Sequence, residues 1–223
     1  MSPGLSGSPR QDDSGRWEEK WAAKQIPWDQ GSAHPALVDL LETRSAELGI
    51  PSSGRAFVPG CGTGYDVLLF AQRGLDTIGI DLSKTGVAVA QNWLRERSSD
   101  DPALAERMRV EEADFFAYAP KEPFDLIYDF TFLCALSPSL RHHWASTITR
   151  LSRPSPNTTL ITLMFPLDDV ASGPPWSLSM EAYHELLDGE WELVHLGEIR
   201  PEWGTRIGER RGDMIGVWKR RVR

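Results

Sequence analysis

From residue 55 onward, short apolar runs alternate with longer amphipathic stretches. The runs at 55–59, 76–81, 108–113 and 124–130 read as strands, and 65–73 and 84–97, with apolar residues three and four apart, read as helices. Ser98-Ser99-Asp100-Asp101-Pro102 breaks the pattern, and a short helix ending at Arg107 follows. Further on, 139–151 predicts a helix and 157–165 a strand, the latter supplied with β-branched Thr158, Thr159, Ile161 and Thr162. A proline-stiffened loop at 170–176, a helix at 179–187 and two strands at 191–199 and 213–220 complete the chain. Strand and helix alternate until the last two strands, which have little helix between them. That order predicts an α/β fold: one Rossmann-like doubly wound sheet, mostly parallel, with an antiparallel edge strand.

Ahead of this pattern, residues 1–14 are rich in Ser, Gly, Pro and Asp and predict a disordered tail, leaving 15–223 as a single domain. Residues 16–25 predict a short helix on which Trp17 and Trp21, four apart, share a face. Pro27 stops it and Trp28 follows at once. Two readings are open: the indoles pack the helix on the core, or they form a lid that closes over a bound cation. A second helix, 34–48, follows from the spacing of Leu37, Leu40, Leu41 and Leu48.

The stretch Val58-Pro59-Gly60-Cys61-Gly62-Thr63-Gly64-Tyr65-Asp66 joins the first predicted strand to its helix. Glycine lets a chain take angles that side chains forbid and lets a ligand approach the backbone. A dinucleotide fingerprint would place its third glycine at Tyr65; here it falls at Gly64. The G-x-G-x-G form suits a ligand without a pyrophosphate, such as S-adenosylmethionine (SAM), and is also compatible with an ordinary tight turn. The next strand ends at Asp81, seventeen residues after Gly64, where a carboxylate can accept hydrogen bonds from both hydroxyls of a ribose. Its alternative role, capping the following helix, is open to Ser83. Gly60, Asp81, Asp114 with Phe115, and Phe130 fall at the carboxyl ends of four successive strands, where such a sheet binds ligands.

Composition narrows the partners. The formal charge is −8 and no basic stretch is long enough to follow a phosphate backbone, which argues against nucleic acid. The two cysteines, Cys61 and Cys134, form no CxxC pattern, so neither a zinc site nor a disulfide framework is expected, and a reducing, cytoplasmic location is. No apolar stretch approaches membrane-spanning length, and residues 1–13 lack the apolar core of a signal peptide. His142-His143 reads as a solvated helix face, Asp168-Asp169 as a surface turn, and Lys219, Arg220, Arg221 and Arg223 as a solubilising terminus. A monomer is the simplest expectation.

With these residues in view, the chain resembles the thiol and halide methyltransferases of the thiopurine methyltransferase superfamily from about Trp17 to its C-terminus. The pieces that carry the resemblance are Trp17, Trp21 and Pro27-Trp28-Asp29-Gln30-Gly31; Val58-Pro59-Gly60-Cys61-Gly62; Ile80-Asp81-Leu82-Ser83; and 124–130, 160–166 and Gly173-Pro174-Pro175. It implies SAM contacts at Trp17, Trp21, Trp28, Gly60, Asp81, Asp114, Phe115 and Phe130, with Asp114 bonding the adenine amino group and Phe115 giving a backbone N–H and an apolar wall. After the fourth strand the run is Asp129-Phe130-Thr131-Phe132-Leu133-Cys134, and Thr131 and Leu133 set the size and polarity of the pocket.

The implied reaction is transfer of a methyl group to a small anion (halide, thiocyanate or hydrosulfide) or a thiol by in-line displacement, leaving S-adenosyl-L-homocysteine. Such nucleophiles arrive ionised or nearly so, so no general base is required, in keeping with the lack of a Ser/His/Asp or Cys/His set. Catalysis would rest on positioning and desolvation, with Trp28, Tyr128 and Thr131 as substrate contacts. A larger aromatic or biosynthetic thiol is the alternative acceptor, distinguished by the space between Trp28, Phe132, Phe165 and Trp176. A nicotinamide-dependent oxidoreductase and a SAM-binding module without catalysis are the readings from other classes.

Overall fold

The computed structural model describes residues 10–167, 172–203 and 212–222. The strands are β1 (Arg55–Pro59), β2 (Asp76–Asp81), β3 (Met108–Glu112), β4 (Leu126–Phe130), β5 (Thr159–Met164), β6 (Trp191–Glu198) and β7 (Met214–Arg220). The helices are α1 (Arg10–Ala22), α2 (Pro35–Thr43), α3 (Tyr65–Gln72), α4 (Lys84–Arg97), α5 (Pro102–Glu106), α6 (Arg141–Leu151) and α7 (Met180–Leu187). Their starts follow from local chemistry. His34 accepts from the Ala36 N–H at 3.1 Å and is followed by Pro35, which needs no hydrogen-bond acceptor. Ser83 caps α4 by accepting from Gly86 N at 2.9 Å, as its position in the sequence suggests, which frees Asp81 from that duty.

The strands form one sheet in the order β3-β2-β1-β4-β5-β7-β6. The first five run parallel, and β7 runs antiparallel to both β5 and β6. The fold is therefore the doubly wound, mostly parallel α/β sheet expected, with one refinement: the antiparallel strand lies one place in from the edge. The crossover carrying α7 passes over one strand position to lay down β6, and β7 takes the position between.

Strand periodicity divides the core. Tyr128 on β4 packs its ring 5.8 Å from that of Phe70 on α3, while its neighbour Asp129 points to the opposite face and bonds Trp144 on α6. Phe57, Leu126, Ile127, Leu160 and Ile161 at the centre of the sheet are fully buried, each such side chain contributing about 1.5–3 kcal/mol.

The sequence of strands turns outward from β1 through β2 to β3, then jumps to the other side of β1 for β4. This reversal opens a crevice beyond the carboxyl ends of β1 and β4, the place where open α/β sheets receive ligands.

Three expectations need correction. The backbone is helical from Arg10, so the proposed tail cannot extend to residue 14; residues 1–9 lie outside the described residues. The second helix ends at Thr43 rather than 48, where the Arg73 guanidinium takes the Leu41 carbonyl at 2.6 Å. Lys219 and Arg220 are not a solubilising terminus. They belong to β7, inside the sheet, where Lys219 Nζ donates to Gly49 O and Thr159 Oγ1 and Arg220 donates to Glu190. Arg221 likewise donates to the Trp191 carbonyl, and Arg223 lies outside the described residues.

Candidate active site

A cavity of about 570 Å³ occupies the crevice. Its floor is the glycine turn after β1. Gly60, Gly62 and Gly64 have φ of 58°, 53° and 88°, in the left-handed region where a side chain is strained. Gly60 matters twice, since a Cβ there would sit 2.6 Å from the Phe132 ring. Cys61 lies behind the turn with its sulfur against Gly79, and burial, followed by the charges of Asp81 and Asp66, raises its thiol well above the ordinary range. It is a packing residue, not a nucleophile.

Asp81, at the end of β2, lines the cavity. Its Oδ1 accepts from Ser83 N at 2.8 Å. Burial pushes its carboxyl up to about 6, against backbone hydrogen bonds from Ser83, Gly62 and Leu82 that lower it. Next along the wall come Ala113, Asp114, Phe115 and Phe116. Asp114 Oδ1 accepts from Phe116 N at 2.8 Å, which fixes the turn after β3. The Phe115 ring is held edge-on to Phe132 at 4.9 Å.

The N-terminal segment forms the other wall. Trp17, Trp21 and Trp28 all line the cavity, and their rings meet edge to face, Trp17–Trp28 at 5.2 Å and Trp21–Trp28 at 6.2 Å. Arg16 and Lys20, four apart on the same helix, line it as well; the Arg16 guanidinium lies 5.3 Å from the Trp17 ring. Trp21 is both core and wall, 4 % exposed and seated on Gly86 of α4. The packing reading therefore holds for Trp21, and all three indoles also line the cavity.

The far end is built by the chain leaving β4 and β5: Thr131, Phe132, Cys134, Ala135, Leu136, Leu140, Phe165, Pro174 and Pro175. Thr131 has φ of 57°, unusual for a β-branched residue, and its hydroxyl donates to Phe130 O at 2.7 Å. Below it, buried Asp129 accepts from Leu133 N at 3.1 Å and Trp144 Nε1 at 2.8 Å, with its carboxyl raised to about 6 by burial.

The structure therefore gathers Trp17, Trp21, Trp28, Gly60, Asp81, Asp114, Phe115 and Thr131 around one cavity. Two residues are elsewhere. Tyr128 is fully buried on the α3 side, so it touches no substrate. Phe130, two residues on and on the same face, points its ring at His34, 5.3 Å away. The cavity wall begins only at Thr131, where the left-handed turn redirects the chain. Trp176 is not a lining residue either: it folds over Gly173, and its backbone N–H donates to Cys134 O at 2.7 Å.

Asp168-Asp169 lies outside the described residues. His142 and His143 are exposed, and no group of metal-ligating side chains occurs among the described residues. Arg16 and Lys20 escaped sequence reasoning, although their four-residue spacing places them on one face of the helix that carries Trp17 and Trp21.

SAM fits this arrangement on structural grounds. The turn after β1 is shaped by three left-handed glycines, a carboxylate stands at the β2 end, an Asp-Phe pair lies at the β3 end, and indoles that attract a cation form the facing wall. The described helices include none long and apolar enough to cross a membrane.

Residues 12–204 match the family model "Thiopurine S-methyltransferase (TPMT)". Among similar proteins, "Probable thiol methyltransferase 2" of Arabidopsis thaliana is 38 % identical over 211 residues, covering 93 % of this chain and 85 % of that one. "Thiocyanate methyltransferase 1" of the same plant is 36 % identical over 209 residues, with 93 % and 86 % covered. Magnesium protoporphyrin IX methyltransferase from Synechocystis PCC 6803, solved with bound SAM, shares the fold with a TM-score of 0.68 at 14 % identity, over 98 % of this chain and 100 % of that one. The chain belongs to the thiopurine S-methyltransferase family and is a SAM-dependent methyltransferase.

Proposed function

We propose that the enzyme methylates small anionic nucleophiles (halide, thiocyanate, hydrosulfide) or thiols by in-line displacement. The observation that carries this reading is the composition of the acceptor end of the cavity. Among the described residues, its side chains are almost wholly apolar and include no base, while the cations in the wall, Arg16 and Lys20, sit on α1. An acceptor that must lose a tightly held proton finds no base among these side chains; one that arrives as an anion, or as a readily ionised thiol, needs none. The names of the thiol and thiocyanate methyltransferases to which the chain is similar point the same way.

Bound SAM supplies an electrophilic methyl group on a cationic sulfur. In this reading Gly60 allows close approach to the backbone, Asp81 accepts from the ribose hydroxyls, and Asp114 and Phe115 hold the adenine. Trp17, Trp21 and Trp28 form a lid whose ring faces attract the sulfonium by about 0.5–2 kcal/mol each. The lid and the rings of Phe132 and Phe165 exclude water, which matters because attack by an anion on a cation cancels charge and water opposes that loss. Thr131 places a hydroxyl beside the acceptor. Holding the two reactants in line is then the chief catalytic contribution.

A second reading, a larger aromatic thiol as acceptor, draws on the volume of about 570 Å³ and the aromatic lining of Phe116, Phe132 and Phe165. Competition assays separate the two: kcat/KM for thiocyanate, iodide and hydrosulfide against an aryl thiol, each followed by methylated product. A preference for the aryl thiol over every small anion would favour the second reading.

A further inference from the structure

Two carboxylates of the N-terminal segment point away from the cavity and into the loops beneath it. Glu18, next to Trp17, reaches the start of α4. Its Oε2 accepts from Ser83 Oγ at 2.7 Å and Thr85 N at 3.0 Å, and its Oε1 accepts from the Thr85 hydroxyl. Helix α4 has no acidic residue in its own first turn, so Glu18 supplies from another helix the negative charge that a helix N-terminus favours. The Thr85 and Ser83 bonds hold the Glu18 carboxyl down at about 2, so it is ionised at neutral pH. The contact leads directly to the donor site, because the backbone N–H of Ser83 donates to Asp81.

Asp29, next to Trp28, reaches the glycine turn. Its Oδ2 accepts from Thr63 Oγ1 at 2.5 Å, and its Oδ1 accepts from the Tyr65 hydroxyl at 3.0 Å and from Gly31 N at 2.8 Å. Thr63 and Tyr65 flank Gly64, the residue that ends the turn and starts α3. Neither Glu18 nor Asp29 lines the cavity.

We propose that Glu18 and Asp29 are positioning residues for methyl transfer: they fasten the tryptophan-bearing segment to the Asp81 loop and to the glycine turn, so that indole wall and donor loops form one unit. The assignment rests on the SAM site described above. Each carboxylate ties an indole to a different loop, Trp17 to the Asp81 side and Trp28 to the glycine side. Losing either therefore tilts the wall instead of releasing it.

The test uses the full chain with Glu18→Gln, Asp29→Asn, Thr85→Val and the pair Glu18→Gln/Thr85→Val, with Glu19→Gln on the exposed face of α1 as control. Amide hydrogen exchange of the ligand-free proteins is read first. The α1 amides exchange at least about tenfold faster in Glu18→Gln, and the 23–33 amides do so in Asp29→Asn, while the β1 and β4 amides keep wild-type rates. In steady state each single variant loses about tenfold in kcat/KM for SAM, the value of one charge-assisted hydrogen bond, mostly through KM. Adding Thr85→Val to Glu18→Gln costs nothing further, since the two remove one interaction.

Wild-type exchange in α1 and in 23–33, or full additivity of Glu18→Gln and Thr85→Val, overturns the assignment. If wild-type protein does not bind SAM at all, the methyl-transfer reading falls and the positioning role with it; exchange in the ligand-free variants still decides whether the fastening exists.

Discussion

The two ends of the cavity are built by different means. The donor end is laid down by the loops that follow three neighbouring parallel strands: the left-handed glycine turn after β1, the Asp81 carboxylate at the close of β2 and the Asp-Phe turn after β3. The acceptor end is made by side chains: Thr131 and Phe132 after β4, Phe165 after β5 and the Pro174-Pro175 pair, brought together from three separate segments. The glycine turn keeps its shape whatever side chains surround it. A side-chain-built site changes whenever a residue changes. On the proposed reading, cofactor identity is set at the first end and acceptor choice at the second, with Phe132, in contact with both Gly60 and Phe115, as the seam.

Substitution at the donor end should give the largest effect. Asp81→Ala removes the proposed acceptor for the ribose hydroxyls and should weaken SAM binding by at least tenfold in a calorimetric titration while leaving KM for the acceptor nearly unchanged. An unchanged titration would remove Asp81 from the ribose. The same carboxyl gives a pH signature. Its acidity is lowered by burial to a pKa of about 6, so it becomes protonated as the pH falls through that value. SAM affinity of the wild type should fall toward that of Asp81→Ala below pH 6 and hold constant above pH 7. A titration flat from pH 5 to 8 would contradict this.

How far the sequence disclosed these regions follows the same division. The donor end was legible because its elements are local: an apolar run, glycines at alternate positions and an acid closing the next run place Gly60 and Asp81 without tertiary information. Ser83 was likewise recognisable as a cap from its position before an amphipathic stretch. After β4, position at the strand end misled. Tyr128 and Phe130 lie at the carboxyl end of β4, beside the crevice, but their rings pack against Phe70 and His34, and the chain turns inward at the left-handed Thr131. No periodicity announces a threonine at positive φ. Glu18 and Asp29 were hidden for another reason: the partners that fasten them to the loops are hydroxyls and a backbone N–H thirty-four to sixty-seven residues away, and a carboxylate–hydroxyl pair leaves no charge pattern to read.

The indole wall tests whether the two ends need a common cover. Trp28→Ala should lower kcat/KM by about tenfold, within the 0.5–2 kcal/mol of a cation–π contact plus the water admitted. Full activity would make the lid untenable. The smallest effect is expected at Thr131, where relief of backbone strain competes with loss of the acceptor contact. Thr131→Gly should raise stability by about 1 kcal/mol in thermal denaturation and lower turnover with small anions. A destabilised Thr131→Gly variant with normal turnover would show that the strained conformation serves packing alone.

On the proposed reading, a SAM site at the glycine turn faces an apolar acceptor pocket that needs no base. The direct measurement is incubation of wild-type protein with SAM and, separately, iodide, bromide, thiocyanate, hydrosulfide and an aryl thiol, quantifying S-adenosylhomocysteine and methylated product together. Equal amounts of both are expected for at least one of these acceptors, with a rate that follows the ionised fraction of the nucleophile. Tight SAM binding with no product from any of them would contradict it.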